Sequence, residues 1–278
     1  MASSPEIALL GGTTFELAGP FGAGLVAVEG DPEVVATPVG PSPPFVQMSY
    51  EGTPFYYVRF HGYSETERED RISGVNFVRM FAALHLMGVR YAFGGATSGG
   101  IREDYAVGDF VIPNDVLDFN KERPSNVWEA SGMERPLVRA RFNPPFCPHM
   151  SGLLEQVARR RGERVHTDAI LVQSQPNRYE TPAEIRMYAM FGGGLVTHNV
   201  GTEAIYARQM GIHFAALQSI SNPAEGVRPF TIEEEMSDGS RISKRAVPLV
   251  LEAISLLAKG SPDCGITCTG EPFEGVVS

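Results

Sequence analysis

Phe55-Tyr56-Tyr57-Val58-Arg59-Phe60-His61-Gly62-Tyr63 places an arginine, a histidine and a tyrosine at every second position of an aromatic and β-branched run. Such a run favours a strand, and its period of two puts Arg59, His61 and Tyr63 on one face. Buried there, a guanidinium needs a counter-charge, and the segment supplies none. Its partner is either an anionic ligand or one of the chain's own carboxylates. Ile7-Ala8-Leu9-Leu10 runs directly into Gly11-Gly12-Thr13-Thr14. A strand ending in glycines lets backbone N–H groups approach a ligand, and a threonine hydroxyl adds a donor. This is not a Walker loop, because no Lys follows the glycines, and it lacks the three spaced glycines of a dinucleotide site. Val89-Arg90-Tyr91-Ala92-Phe93 leads into a further such turn, Gly94-Gly95-Ala96-Thr97-Ser98-Gly99-Gly100. Strand ends of this kind are expected to converge at one edge of a sheet, where open α/β sheets bind ligands.

The elements that must position these residues alternate between short apolar strands and helical stretches, which predicts an α/β layered domain. Val75, Val78, Phe81 and Leu84 give a helix with a wide apolar face, followed by strands over 90–93 and 110–112. Residues 120–145 are polar and rich in Pro and Arg, and are expected to form a long loop. An amphipathic helix is expected over 147–161 and a strand over 169–172. Thr181-Pro182-Ala183-Glu184 has the form of a capped helix start, with Pro at the first helical position. A helix over 201–210, a strand from 213 to 219 that ends at Ser221-Asn222-Pro223, and a final helix over 242–258 complete the domain. With no repeat and no linker, residues 1–258 read as one domain and 259–278 as a loosely ordered tail.

With 278 residues, 43% of them hydrophobic and 20% charged, the chain reads as an ordinary globular protein. A formal net charge of −10 argues against nonspecific binding of nucleic acid or of an anionic membrane, but not against a local cationic pocket. The longest apolar runs are far shorter than a membrane span, and the start of the chain carries no signal-peptide pattern, so a cytoplasmic location is expected. Cys147, Cys264 and Cys268 form no disulfide framework, and none has the spacing of a zinc site. No metal is expected. Cys147 is expected to be structural, because Cys147 and His149 at a helix start do not face each other.

From residue 7 to 258 the chain resembles the trimeric nucleoside phosphorylase family, which contains purine nucleoside phosphorylases and methylthioadenosine phosphorylases. The segments that carry the resemblance are Gly11-Gly12-Thr13, Arg59-Phe60-His61-Gly62-Tyr63, Gly99-Gly100-Ile101-Arg102 with Gly108-Asp109, Tyr179-Glu180-Thr181-Pro182-Ala183-Glu184, Gly201-Thr202-Glu203-Ala204 and Ser221-Asn222-Pro223-Ala224. The resemblance implies a single-domain phosphorylase fold, a central mixed sheet flanked by helices. It also implies a reaction in which phosphate displaces a purine from C1′ of a nucleoside and pentose 1-phosphate forms. Inorganic phosphate is then a co-substrate, and no other cofactor is implied. Thr13, Arg59, His61, Thr97 and Asn199 fall at phosphate positions. Tyr63, Tyr179, Glu180, His198, Asn222 and Met236 fall at nucleoside positions, and Asn222, His61 and Glu180 are the implied catalytic set. The chemistry suits these types: an ionised Glu180 accepts from a ring N–H, Asn222 both donates and accepts along a purine edge, and Tyr179 can stack on the base.

Glu180 with Asn222 is the pair that the family uses for 6-oxopurines. Met236, apolar where a polar His often meets the 5′-hydroxyl, admits a 5′-deoxy or 5′-methylthio sugar. Four positions depart from the family: Asn199 stands where a hydroxyl holds phosphate, His198 replaces a Met under the ribose, and Ala96 and Thr97 alter the Gly94–Gly100 turn. Those departures keep a phosphate-independent hydrolase and a non-catalytic nucleoside binder as alternatives. The resemblance also implies a homotrimer in which Phe142 or Arg139, from the long loop, caps the neighbour's site.

Overall fold

The computed structural model describes residues 5–16, 24–59, 74–134, 140–176 and 178–260, without the side chains of residues 13, 16 and 235–240. In chain order the elements are β1 (Ile7–Gly11), α1 (Thr13–Glu16), β2 (Ala27–Val28), β3 (Ala36–Thr37), β4 (Gly40–Pro41), β5 (Phe45–Tyr50), β6 (Thr53–Arg59), α2 (Val75–Leu86), β7 (Tyr91–Gly94), β8 (Thr97–Gly100), β9 (Phe110–Val111), β10 (Asp115–Asp118) and α3 (Val127–Ser131). They continue with α4 (Pro148–Arg160), β11 (Val165–His166), β12 (Ile170–Gln173), α5 (Pro182–Met190), β13 (Gly193–Thr197), α6 (Val200–Gln209), β14 (His213–Ala216), β15 (Gln218–Pro223) and α7 (Ile232–Lys259).

The α/β reading holds, with the strands divided between two large sheets. One has the order β14-β7-β1-β6-β5-β2 and the other β10-β12-β13-β8-β15-β9-β11, and β3 pairs with β4 apart from them. The first sheet is sandwiched, and the period of two sorts its side chains. Ala8 and Leu10 of β1, with Tyr56 and Val58 of β6, join Phe77 and Phe81 of α2 and Tyr206 of α6. Ile7, Leu9, Phe55 and Tyr57 point the other way, onto Leu154 of α4 and Val250 and Ile254 of α7. A Leu, Val, Ile or Phe among these contributes about 1.5–3 kcal/mol when fully buried, so the alternation fixes register as well as stability.

Several expectations require correction. The strand expected over 213–219 is two strands, because the chain leaves the first sheet at Ala216 and enters the second at Gln218. The turn that begins at Gly94-Gly95 does the same, and Thr97–Gly100 is a strand of the second sheet rather than a loop. The long loop contains α3, whose Asn126 cap accepts from the N–H groups of Trp128 and Glu129. Five residues are too few to show a helical period. The last helix begins ten residues early, at a capping box of Thr231 and Glu234. Its first turns are acidic and polar, and so carry no apolar stripe. Arg59 ends β6 exposed, not buried. His61 and Tyr63 lie outside the described residues, as does the expected tail from 261 on. Among the described residues no helix is long and apolar enough to cross a membrane.

Candidate active site

Four parallel strands of the first sheet end together. β1 pairs in parallel with β6 and β7, and β7 with β14, so Gly11, Arg59, Gly94 and Ala216 share one edge. Arg59 stands opposite Gly11 in register, level with the first glycine turn. The glycines there are needed for space. A Cβ on Gly12 would run into the carbonyl oxygen of Gly95, and one on Gly95 into that of Leu217. Backbones therefore touch where the three strand ends meet. A buried hydrogen bond of 2.9 Å between the Thr14 and Ser219 hydroxyls ties α1, which follows β1, to β15 across 205 residues. The expected convergence of glycine-ended strands is thus present, with an exposed guanidinium at its rim. At Thr13 only the backbone is described, at the start of α1.

Beyond this edge the chain crosses into the second sheet and lines a cavity. Thr97, Ser98 and Gly99 of β8, Val196 and Thr197 of β13 with His198 after it, Ser221 and Asn222 of β15 and the Tyr179–Glu180 pair surround it. Five sequence-predicted residues, Thr97, Tyr179, Glu180, His198 and Asn222, are brought together from segments 125 residues apart at the extreme.

Glu180 is 7% exposed and immediately precedes the N-cap of α5. Thr181 and Glu184 satisfy that helix start reciprocally, and Arg178 grips Glu184 at 2.7 and 2.8 Å. Glu180 is therefore not the cap. Its Oε1 accepts from the Ser174 hydroxyl and meets His198 Nε2 at 3.3 Å. Burial alone pushes the carboxyl up, but the bonds from His198 and Ser174 together outweigh it and hold the group below its ordinary value. Both side-chain partners meet Oε1, and the backbone N–H of Glu180 adds a further bond that favours the ionised carboxylate. Asn222 lies within β15, not at a turn. Its Oδ1 accepts from Ser221 Oγ at 2.8 Å and its Nδ2 donates to the Pro223 carbonyl at 3.0 Å. One donor and one acceptor position of the amide remain for a ligand. Tyr179 is 44% exposed at the mouth, with Phe230 at 6.3 Å between ring centroids.

Asn199 does not line the cavity. Its Oδ1 accepts from Arg123 Nη2 at 2.9 Å, so the expected phosphate ligand is turned toward a buried arginine. Arg123, Gln173 and Ser174 were not singled out in the sequence. Their roles depend on contacts 6 to 79 residues away, and only the polar character of the 120–145 segment hinted at Arg123. Of the two loop candidates, Phe142 is 39% exposed and Arg139 lies outside the described residues. The side chain of Met236 is likewise not described. A second cavity shares Ser221 and Asn222 with the first, and is lined further by Val107, Pro223, Arg228, Phe230 and Glu234.

A family model described as the phosphorylase superfamily matches residues 7–255. The chain is similar to the 6-oxopurine nucleoside phosphorylase of Pyrococcus furiosus, with 32% identity over 190 residues, 66% of this chain and 72% of that protein. It is also similar to the probable S-methyl-5′-thioinosine phosphorylase of Methanopyrus kandleri, with 30% identity over 205 residues, 73% of this chain and 77% of that protein. Among solved structures, the methylthioadenosine phosphorylase of Schistosoma mansoni in complex with adenine superposes with a TM-score of 0.78 over 92% of this chain and 93% of that one. At 18% identity that likeness concerns the fold.

Proposed function

The chain belongs to the phosphorylase superfamily, and from that premise we propose that it cleaves the N-glycosidic bond of a 6-oxopurine nucleoside with inorganic phosphate, releasing the base and a pentose 1-phosphate. The observation that carries this reading is the cavity in which an ionised, hydrogen-bonded Glu180 and the Asn222 amide face the same space. A 6-oxopurine offers N1–H to the carboxylate and a donor–acceptor edge to the amide. The leaving base gains negative charge, which hydrogen bonds from the amide stabilise. Phosphate belongs at the neighbouring strand ends. There Arg59 and the backbone of the glycine turns supply charge and N–H donors, and the anion lies against the oxocarbenium-like sugar. Inorganic phosphate serves as co-substrate without a further cofactor.

The second cavity shares Asn222 and has an apolar side at Val107, Pro223 and Phe230 beside the charged Arg228 and Glu234, and that apolar side suits a 5′ group such as methylthio. The name of the Methanopyrus kandleri relative agrees with that reading. A homotrimer and a cytoplasmic, purine-salvage setting complete the proposal. Sedimentation in which a monodisperse monomer carries full activity would remove the shared-site trimer.

The test is product analysis with inosine, guanosine, adenosine and their 5′-methylthio forms, with and without phosphate. Phosphate-dependent release of hypoxanthine or guanine together with pentose 1-phosphate is expected. Base release that ignores phosphate and yields free sugar would identify a hydrolase, and binding without release a non-catalytic homologue.

A further inference from the structure

A buried cation that is not among the residues lining the cavity holds the turn that carries His198. Arg123 is 7% exposed, with its guanidinium 4.0 Å above the centre of the Phe77 ring. Its Nη1 donates to the His198 carbonyl at 2.7 Å and to Thr202 Oγ1 at 3.0 Å, while Nη2 donates to Asn199 Oδ1 at 2.9 Å. Gln173, fully buried, donates from Nε2 to the same His198 carbonyl at 2.7 Å, and its Oε1 accepts from Thr202 N. A single backbone carbonyl thus takes two short bonds from side chains of two separate elements. Burial lowers the Arg123 guanidinium to about 10, which still leaves it charged at neutral pH, with Glu203 the leading counter-charge. An arginine placed this deeply is costly unless its fork is matched at several points, and here both arms are used on one turn.

The consequence reaches the cavity through His198, whose Nε2 lies 3.3 Å from the Glu180 Oε1 that Ser174 also binds. We propose that Arg123 is a positioning residue for base selection, acting with Gln173 through the His198–Asn199 turn to hold the imidazole against Glu180 and so aim the other carboxylate oxygen at the base. The inference rests on the reading of Glu180 as the residue that recognises a 6-oxopurine. Phosphate plays no part in it.

The experiment is calorimetric binding of hypoxanthine and of adenine, without phosphate, to the wild-type protein, Arg123→Lys, His198→Met and the double variant. Lysine keeps the charge and loses the fork. In the wild-type background Arg123→Lys is expected to narrow the preference for hypoxanthine over adenine by roughly tenfold, the size of one charge-assisted bond. In the His198→Met background the same change is expected to leave the preference unaltered, because the side chain through which it acts is gone. An equal narrowing in both backgrounds, or lower thermal stability with the preference unchanged, would overturn the proposal and leave Arg123 a folding residue. Gln173→Leu removes the second bond to the same carbonyl and is expected to act in the same direction, which keeps the test open should Arg123→Lys fail to fold. A wild-type protein that binds neither base, or that favours adenine, would also overturn it. Failure of phosphorolysis is read separately, from base release with added phosphate, and does not touch this result.

Discussion

Glu180→Gln is the most informative single substitution, because the structure dictates how the new amide must lie. Ser174 and His198 both meet Oε1, so that position stays an acceptor and the amide nitrogen takes the place of Oε2. A flip would require the serine to accept and the imidazole to present a lone pair, reversing both partners. The base then meets a donor where it met a carboxylate. For a 6-oxopurine, N1–H faces N–H, and a charge-assisted bond worth about 1.5–3 kcal/mol is lost, which lowers kcat/KM roughly 10- to 150-fold. For adenine, N1 gains a neutral bond worth about 0.5–1.5 kcal/mol, a rise of roughly 2- to 13-fold. The inosine-to-adenosine ratio is therefore expected to fall by roughly 30- to 2,000-fold. The lower end is expected, because the His198 side chain keeps 34% exposure and the site is not dry. The assay is kcat/KM for both nucleosides and for their 5′-methylthio forms, in the parent and the variant. If both nucleosides lose activity equally, Glu180 does not face N1 and the base assignment fails.

Arg59→Ala should raise KM for phosphate by roughly tenfold while KM for the nucleoside stays within about threefold, since the residue sits at the glycine-turn edge and not in the base cavity; an equal rise in both would make Arg59 a folding residue. Gly12→Ala should destabilise the protein by about 1–3 kcal/mol or more, because the new methyl meets the Gly95 carbonyl, whereas Gly30→Ala, with nothing within 4 Å, should leave Tm unchanged; equal melting of the two variants would refute the close approach. For pH, the Glu180 carboxyl is lowered in the folded state, so its stabilising contribution is complete above its ordinary value of 4.5 and is lost as pH falls through the lower folded value. The Tm difference between the parent and Glu180→Gln should accordingly be flat above that value and move against the parent on acidification; a difference that shifts in the parent's favour would show that the carboxyl is not depressed.

The sequence by itself determined the pieces whose signals are local. Apolar alternation along Ile7–Gly11 and Thr53–Arg59 marked strands that turn one set of side chains to each helix layer. Thr181-Pro182-Ala183-Glu184 announced a capped helix in the residues that form it. The glycine pairs after short apolar runs identified strand ends where only a missing Cβ allows backbones to touch. The family order of weak motifs then pointed to Thr97, Tyr179, Glu180, His198 and Asn222, which line one cavity. Tertiary structure decided what depends on neighbours distant in the chain. Arg59 looked buried from its pattern, but its exposure is set by where β6 stops. Residues Gly94 to Thr97 and Ala216 to Gln218 read as continuous or looped, yet each carries the chain from one sheet to another, a choice made by strand pairing and invisible to local propensity. Asn199 is a residue type suited to holding a ligand, yet its side-chain Oδ1 accepts from Arg123, 76 residues away. Glu180 owes its ionised, oriented state to Ser174 and His198, since burial without those donors would have raised its pKa. Local pattern chooses the elements. The desolvation of charged groups, and the donors that offset it, depend on which elements come to lie side by side.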